Sequence, residues 1–269
     1  MSDPLIVPAL ANSADSPSLM AVARQSGEVR VTPHHHHARG QLLGATRGLL
    51  TVDAGGSRWV VPAVHAVWIP PNVSHGLRSH GAFSGWSLYV AEELCAELPS
   101  RPCILAVSGL LREAVARAAS WRPGALEAAQ VRLASVMLDE IRGLPEVNLS
   151  LPMPRDARLL KIAHALSDRP DDGRRLDEWA AWAGIAPRTL SRRFVSETGF
   201  SLTEWRQRVR LLRALELLAV GKPITTIALD LGYGNVSAFI ALFRRVFGVT
   251  PGRFDVSTQG LHAPMRGER

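Results

Sequence analysis

Residues 224–254 read ITTIALDLGYGNVSAFIALFRRVFGVTPGRF, and residues 176–205 read LDEWAAWAGIAPRTLSRRFVSETGFSLTEW. Laid over each other, the two stretches are versions of one helical pattern. In the earlier copy Ala180 and Gly184 precede Phe194, Gly199, Ser201 and Trp205; in the later one Ala228 and Gly232 precede Phe243, Gly248, Thr250 and Phe254. The copies are offset by 48 residues at the alanines and by 49 from the phenylalanines onward, so the second turn holds one extra residue. A helix, a turn built on a small residue and a second helix with one polar face are the parts of a helix-turn-helix. Two copies in tandem suit a repetitive target, and duplex DNA, whose major groove returns every helical turn, is the obvious one.

The first copy assigns its parts readily. Leu176–Ala183 forms the bracing helix, residues 184–186 the turn, and Pro187 sits where proline is tolerated, in the first turn of the second helix. Leu190 and Phe194, four apart, make the buried stripe, which leaves Arg188, Thr189, Ser191, Arg192 and Arg193 as candidate DNA contacts. In the second copy Ile224–Leu231, residues 232–234 and Asn235–Phe247 repeat the arrangement, with Phe239 and Phe243 buried and Asn235, Ser237, Arg244 and Arg245 facing DNA. Arginine can read guanine and asparagine adenine, but either can also serve a phosphate. The first copy is richer in polar reach, so it is expected to specify sequence while the second anchors and orients. Further helices are predicted over 157–167 and 201–219, with a short turn from 251.

Charge agrees with a polyanionic partner. The formal net charge is +7, and residues 156–269 carry 18 Lys and Arg against 12 Asp and Glu, whereas the first 155 residues are nearly balanced. A basic domain attracts DNA at long range and neutralises phosphate on contact. Cys95 and Cys103 are the only cysteines and lack C-x-x-C spacing, which excludes a disulfide framework. No signal-like segment and no apolar run of membrane-spanning length appears, so a soluble cytoplasmic protein with no membrane partner is expected.

The run Ile227-Ala228, Gly232-Tyr233, Phe239, Phe243-Arg244, Gly248, Thr250-Pro251 and Phe254 resembles the signature of the AraC family of bacterial transcription regulators. The resemblance covers about 100 C-terminal residues. It implies two helix-turn-helix units joined by a long helix and reading adjacent major-groove segments of promoter DNA. Phe254 stands where the family usually has tyrosine and Asp255 where a basic residue is common. Both departures bear on a phosphate contact near the C-terminus rather than on the fold.

The N-terminal half has a different period. Between residues 27 and 93, short β-branched or aromatic runs at 29–32, 42–43, 48–52, 57–61, 66–69, 76–78 and 85–90 alternate with turn residues, which predicts an all-β barrel or sandwich. Asp53-Ala54-Gly55-Gly56 is a hairpin turn. From about Ile104 a helical period sets in: Leu105, Leu110, Leu111, Ala114, Val115 and Ala118 share one face, and Ala128, Val131, Leu133, Ala134, Met137, Leu138 and Ile141 another. This pair either packs on the barrel or, through its second helix, pairs two subunits.

His34-His35-His36-His37 leads into the β-patterned region, and with Gln41 and His75 it resembles the cupin pattern, in which two histidines, a carboxylate and a later histidine can hold a metal. Alternation along a strand puts His35 and His37 on one face. Gln41 takes the carboxylate's place, and a neutral amide is the poorer ligand for catalytic iron or manganese. Three readings stay open: an effector pocket lined by His35, His37, Gln41, Trp68 and His75; a divalent metal on His35, His37 and His75; and histidines with structural hydrogen bonds only.

The expected architecture is therefore α+β and multidomain. Residues 1–18 are a flexible N-terminus, 19–103 a cupin-like sensor barrel, 104–143 a helical pair and 144–156 a linker. Residues 157–256 form an all-α domain with two helix-turn-helix units, and 257–269 a flexible tail. The expected function is a non-enzymatic, homodimeric transcription regulator that needs no cofactor and is controlled by a small-molecule effector, with RNA polymerase as a further partner. A cupin metalloenzyme and a metal-sensing regulator are the rivals.

Overall fold

The computed structural model describes residue 12 and residues 17–62, 65–122, 124–147 and 149–254. The expected flexible tail lies outside them, as does most of the N-terminal lead-in. The described chain divides into two compact units that part between Leu149 and Ser150, the short stretch 56–58 grouping with the second.

The first unit is rich in β-structure. Its strands are β1 (Leu19–Ser26), β2 (Val31–His35), β3 (Gly40–Ala54), β4 (Ser57–Pro62), β5 (His65–Ile69), β6 (His75–Val90), β7 (Cys103–Ala106) and β8 (Glu146–Val147). The sheet runs β1-β6-β3-β5-β7-β8, with β2 also on β6 and β4 also on β3. Strands β3 and β6 each absorb two of the expected short runs, because their pairing continues through register shifts at Ala45–Arg47 and Arg47–Leu49. A bulge lets one strand bend without ending, so the local break in apolar pattern is not a break in the strand. The hairpin turn forms between β3 and β4 as read.

Two expectations about this unit are corrected. β1 precedes the first expected run, 29–32, its polar outer residues Arg24 and Gln25 masking the inward Leu19 and Ala21. Residues 103–106 are a strand and not the start of a helix: Leu105 pairs with Ala66 of β5. The helices are α1 (Gly109–Ala118), capped by the Ser108 hydroxyl, and α2 (Ala128–Gly143). Leu110 points outward, while Leu111, Ala114, Val115 and Ala118 of α1 and Ala134, Met137, Leu138 and Ile141 of α2 pack on Leu42, Trp68, Trp86 and Leu88 of the sheet. The pair thus belongs to the sheet's core.

The expected linker is also more ordered than its prolines suggest. β8 pairs with β7, and β9 (Ser150–Pro152) opens the second unit, where Arg208 Nε donates to the Ser150 carbonyl and Trp205 Nε1 to that of Pro152.

The second unit is helical: α3 (Ala157–Asp168), α4 (Leu176–Trp182), α5 (Pro187–Thr198), α6 (Leu202–Ala219), α7 (Ile224–Asp230) and α8 (Val236–Phe247), then a 3-10 turn at Pro251–Arg253. Every boundary lies within one residue of the sequence expectation, because the stop and start signals are local. Asp156, Ser201 and Asn235 cap α3, α6 and α8 with side-chain oxygens, and Gly199 and Gly248 end α5 and α8. Among the described residues no helix is long and apolar enough to cross a membrane.

Candidate functional site

The turn of each helix pair repeats bond for bond. Ile185 N–H donates to the Ala180 carbonyl at 3.0 Å and Tyr233 N–H to that of Ala228 at 3.0 Å. Gly184 and Gly232 both hold left-handed backbone, φ 65° and 74°, a conformation that costs other L-residues roughly 1–2 kcal/mol. Ala180 and Ala228 are fully buried at the helix crossings. The extra residue of the second turn is Gly234, placed just before the cap Asn235, so it lengthens the loop without disturbing the helix contact.

Helix α5 presents one exposed stripe. Arg188, Ser191 and Arg192 stand at i, i+3 and i+4, and Val195, 44% exposed, continues the line at i+7. Thr189 is half-buried beside them. Val195 escaped the sequence reading because only polar residues were sought there; its spacing from Arg188 is the signal that would have found it.

Arg193 behaves differently from its neighbours. Its Nη1 lies 2.5 Å from Asp156 Oδ2 and its Nη2 2.8 Å from Glu197 Oε1. Glu197 in turn accepts from the backbone N–H groups of Arg155 and Asp156. The Arg158 side chain and the α3 N-terminal amides hold the Asp156 carboxyl down at about 2, so this acceptor stays ionised. Arg193 therefore ties α5 to the start of α3, a guanidinium already committed within its own domain.

On α8 the exposed positions are Ser237, Ala238, Ala241, Arg244 and Arg245. Asn235 was expected to contact DNA, but its Oδ1 accepts from Ala238 N–H at 2.7 Å. Bidentate adenine reading needs that oxygen as well as the amide nitrogen, so Asn235 can read a base that way only by releasing the helix cap.

In the sheet-rich unit β6 sorts its neighbours by parity. Trp86 and Leu88 face the α1–α2 core, whereas Ser87 and Tyr89 face the opposite side, together with Gln41 of β3. Gln41 Nε2 donates to Ser87 Oγ at 2.9 Å and Tyr89 Oη at 3.2 Å, which leaves its Oε1 3.2 Å from His37 Nε2. His35, His37 and His75 converge here, one ring nitrogen of each within 4.8 Å of the others. Burial pushes the His75 imidazole down to about 4 and lowers that of His37, so both rings are neutral near pH 7. Burial likewise pushes the Tyr89 phenol up to about 12.

Trp68 is the exception among the expected pocket residues. Its register partner is Leu42, not Gln41, so it lies on the helix side of the sheet with Nε1 donating to the Pro99 carbonyl. Ser87 and Tyr89 share the histidine side of the sheet and were missed by the sequence reading, and alternation along residues 85–90 was the available signal. A separate cleft of about 450 Å³ opens between β1, β6 and α1, lined by Arg24, Trp86, Arg112 and Val115 among others.

Residues 19–169 match the AraC-like ligand binding domain family, and residues 179–255 match a helix-turn-helix domain family. The chain belongs to the AraC family of transcription regulators. It is 32% identical to the HTH-type transcriptional regulator NimR of Escherichia coli (strain K12), over 83% of this chain and 82% of that protein. The arabinose operon regulatory protein of Salmonella typhimurium is 25% identical over 80% of this chain and 83% of that protein. RipA of Corynebacterium glutamicum reaches 38% identity, but over 41% of this chain and 33% of its own length. This AraC-family chain thus joins an N-terminal ligand-binding domain to a C-terminal DNA-binding domain, and these relatives are regulatory proteins.

Proposed function

We propose that α5 specifies the promoter sequence and α8 anchors the complex. The observation that carries this reading is the α5 stripe: Arg188, Ser191, Arg192 and Val195 line one exposed face while Leu190, Phe194 and Thr198 are buried behind them. Arg188 and Arg192 suit guanine edges, and the Val195 methyls suit a thymine methyl. The corresponding positions of α8 offer Ser237, Ile240, Ala241 and Arg244, a face that can lie close to the groove but has one long cationic side chain to spend there.

Control by a small molecule bound in the N-terminal unit requires an effector with different affinity for two states of the protein. The side of the sheet bearing His35, His37, Gln41, His75, Ser87 and Tyr89 is where such a molecule finds both donors and acceptors. Homodimerisation places the outer face of α2 against a second copy, and Val131 and Val136, 49% and 40% exposed, support that surface. The regulator works in the cytoplasm on duplex promoter DNA, with RNA polymerase as the further partner.

Arg188→Ala and Arg192→Ala test the reading. Each bidentate base contact contributes roughly 1–3 kcal/mol of discrimination, so each variant is expected to bind its promoter fragment about 5- to 150-fold more weakly, with unchanged circular dichroism. Unchanged affinity in both removes α5 as the specifying helix.

A further inference from the structure

The histidine side of the sheet has a feature that an organic effector pocket does not require. His35 Nδ1 donates to the Pro33 carbonyl at 2.9 Å, His37 Nδ1 to that of Arg39 at 2.7 Å, and His75 Nδ1 to that of Val73 at 2.8 Å. A carbonyl can only accept, so each Nδ1 carries a proton, and in the neutral ring each Nε2 is left with its lone pair. All three rings are thereby fixed in the tautomer that metal-ligating histidines adopt when a backbone carbonyl holds the other nitrogen. His75 is 2% exposed, and its Nε2 has no hydrogen-bond partner among the described residues, a cost a buried polar atom carries unless something fills the gap. His37 Nε2 faces Gln41 Oε1 at 3.2 Å, two acceptors with no proton between them. Turning the Gln41 amide over would relieve His37 but would leave His75 without a partner.

We propose that His35, His37 and His75 hold one late first-row divalent cation, of the zinc or nickel class, through their Nε2 atoms. The donor set decides the class. Neutral imidazoles suit zinc, copper and nickel, whereas magnesium and calcium demand oxygen ligands. Gln41 in place of a carboxylate also separates the set from the two-histidine, one-carboxylate arrangement of non-haem iron oxygenases. One ring nitrogen of each histidine lies within 4.8 Å of the others, and a four-coordinate zinc ion would hold three such donors about 3.3 Å apart. Three histidines leave a fourth position open. Since the donors are neutral, the ion keeps its full charge in a buried site, so the open position favours an anionic donor, and an effector carrying a carboxylate would bind there directly. The metal assignment stands apart from the DNA reading; only its regulatory consequence rests on it.

The full-length chain, stripped with chelator, is titrated with Co²⁺ as a spectroscopic probe and with Zn²⁺ in competition. One tight equivalent with visible d–d absorption is expected, displaced by Zn²⁺. His37→Gln and His75→Gln, with folding checked by circular dichroism, lose affinity by more than the about 10- to 100-fold that second-shell changes cost. His34 and His36 are exposed and could bind metal as a surface polyhistidine run. The His34→Ala/His36→Ala double variant is therefore the control, and it keeps the tight site if the proposal holds. Loss of binding in that double variant, with retention in His37→Gln and His75→Gln, overturns the proposal, as does the lack of a tight equivalent in the wild-type chain. Promoter affinity of the stripped protein, measured in parallel, keeps this result separate from that of the Arg188 and Arg192 variants.

Discussion

In the first helix-turn-helix unit Phe194 meets Trp205 edge-on, with ring centroids 5.7 Å apart and planes at 86°; in the second, Phe243 meets Phe254 at 5.5 Å and 85°. The inward halves of the two units are copies. Their outward halves are not. At the position of Arg193, paired to Asp156, the second unit has the apolar Leu242, and at the positions of Ser191 and Arg192 it has Ile240 and Ala241. Duplication preserved the packing, which any docked helix pair needs, and left the surface free to diverge. Phe254, where tyrosine is usual in the family, fills the aromatic lock, its ring centroid also 5.7 Å from that of Phe247.

The equivalence of the interiors breaks most visibly if the aromatic lock is removed. Phe194→Ala and Phe243→Ala each delete a fully buried ring, and each is expected to cost about 3–5 kcal/mol, read as a lowered urea midpoint of the C-terminal domain. A loss confined to one of them would show that the two interiors are copies in shape only.

The turns sharpen the comparison next. Gly184→Ala meets open space and carries only the conformational cost of a positive φ, about 1–2 kcal/mol. Gly232→Ala adds a contact: a Cβ there would lie 3.0 Å from Asp171 Cα and 3.1 Å from its carbonyl oxygen, so backbone must shift. Thermal unfolding should therefore rank Gly232→Ala as the more damaging, and equal losses would mean that the approach of Asp171 is easily relaxed.

The smallest effect concerns Asn235, which caps α8 where the first unit has Ala186 with no side-chain cap. Asn235→Ala should cost about 1 kcal/mol of stability while leaving the promoter's base preferences unchanged. A loss of preference at one adenine, seen by binding to single-base variants of the promoter fragment, would instead make Asn235 a reader.

Local signals made the C-terminal half legible. Caps such as Ser201 and Asn235, Pro187 at a helix start and Gly199 and Gly248 at helix ends act within one turn of their own position, so helix limits could be read residue by residue. The N-terminal half was legible in class but not in detail. Strand β1 is recognised by Leu88 and Val90 across the sheet, and β3 continues past Ala45 because β6 continues beside it. Those partners lie dozens of residues away.

The sequence by itself determined the duplicated helix pairs, their turns and the candidate readers on α5, because a 3.6-residue period and its stop signals are properties of short segments. It also determined that His35, His37, Gln41 and His75 are available. Only the tertiary structure decided which of the named residues are free to act. It bound Arg193 to Asp156 and Glu197, turned Trp68 to the helix side of the sheet, spent the Asn235 oxygen on a helix end, and brought His75 of β6 to His35 at the end of β2 and His37 just beyond it. Each of these depends on which groups meet across long separations, and that is fixed by burial and pairing rather than by any local run of residues.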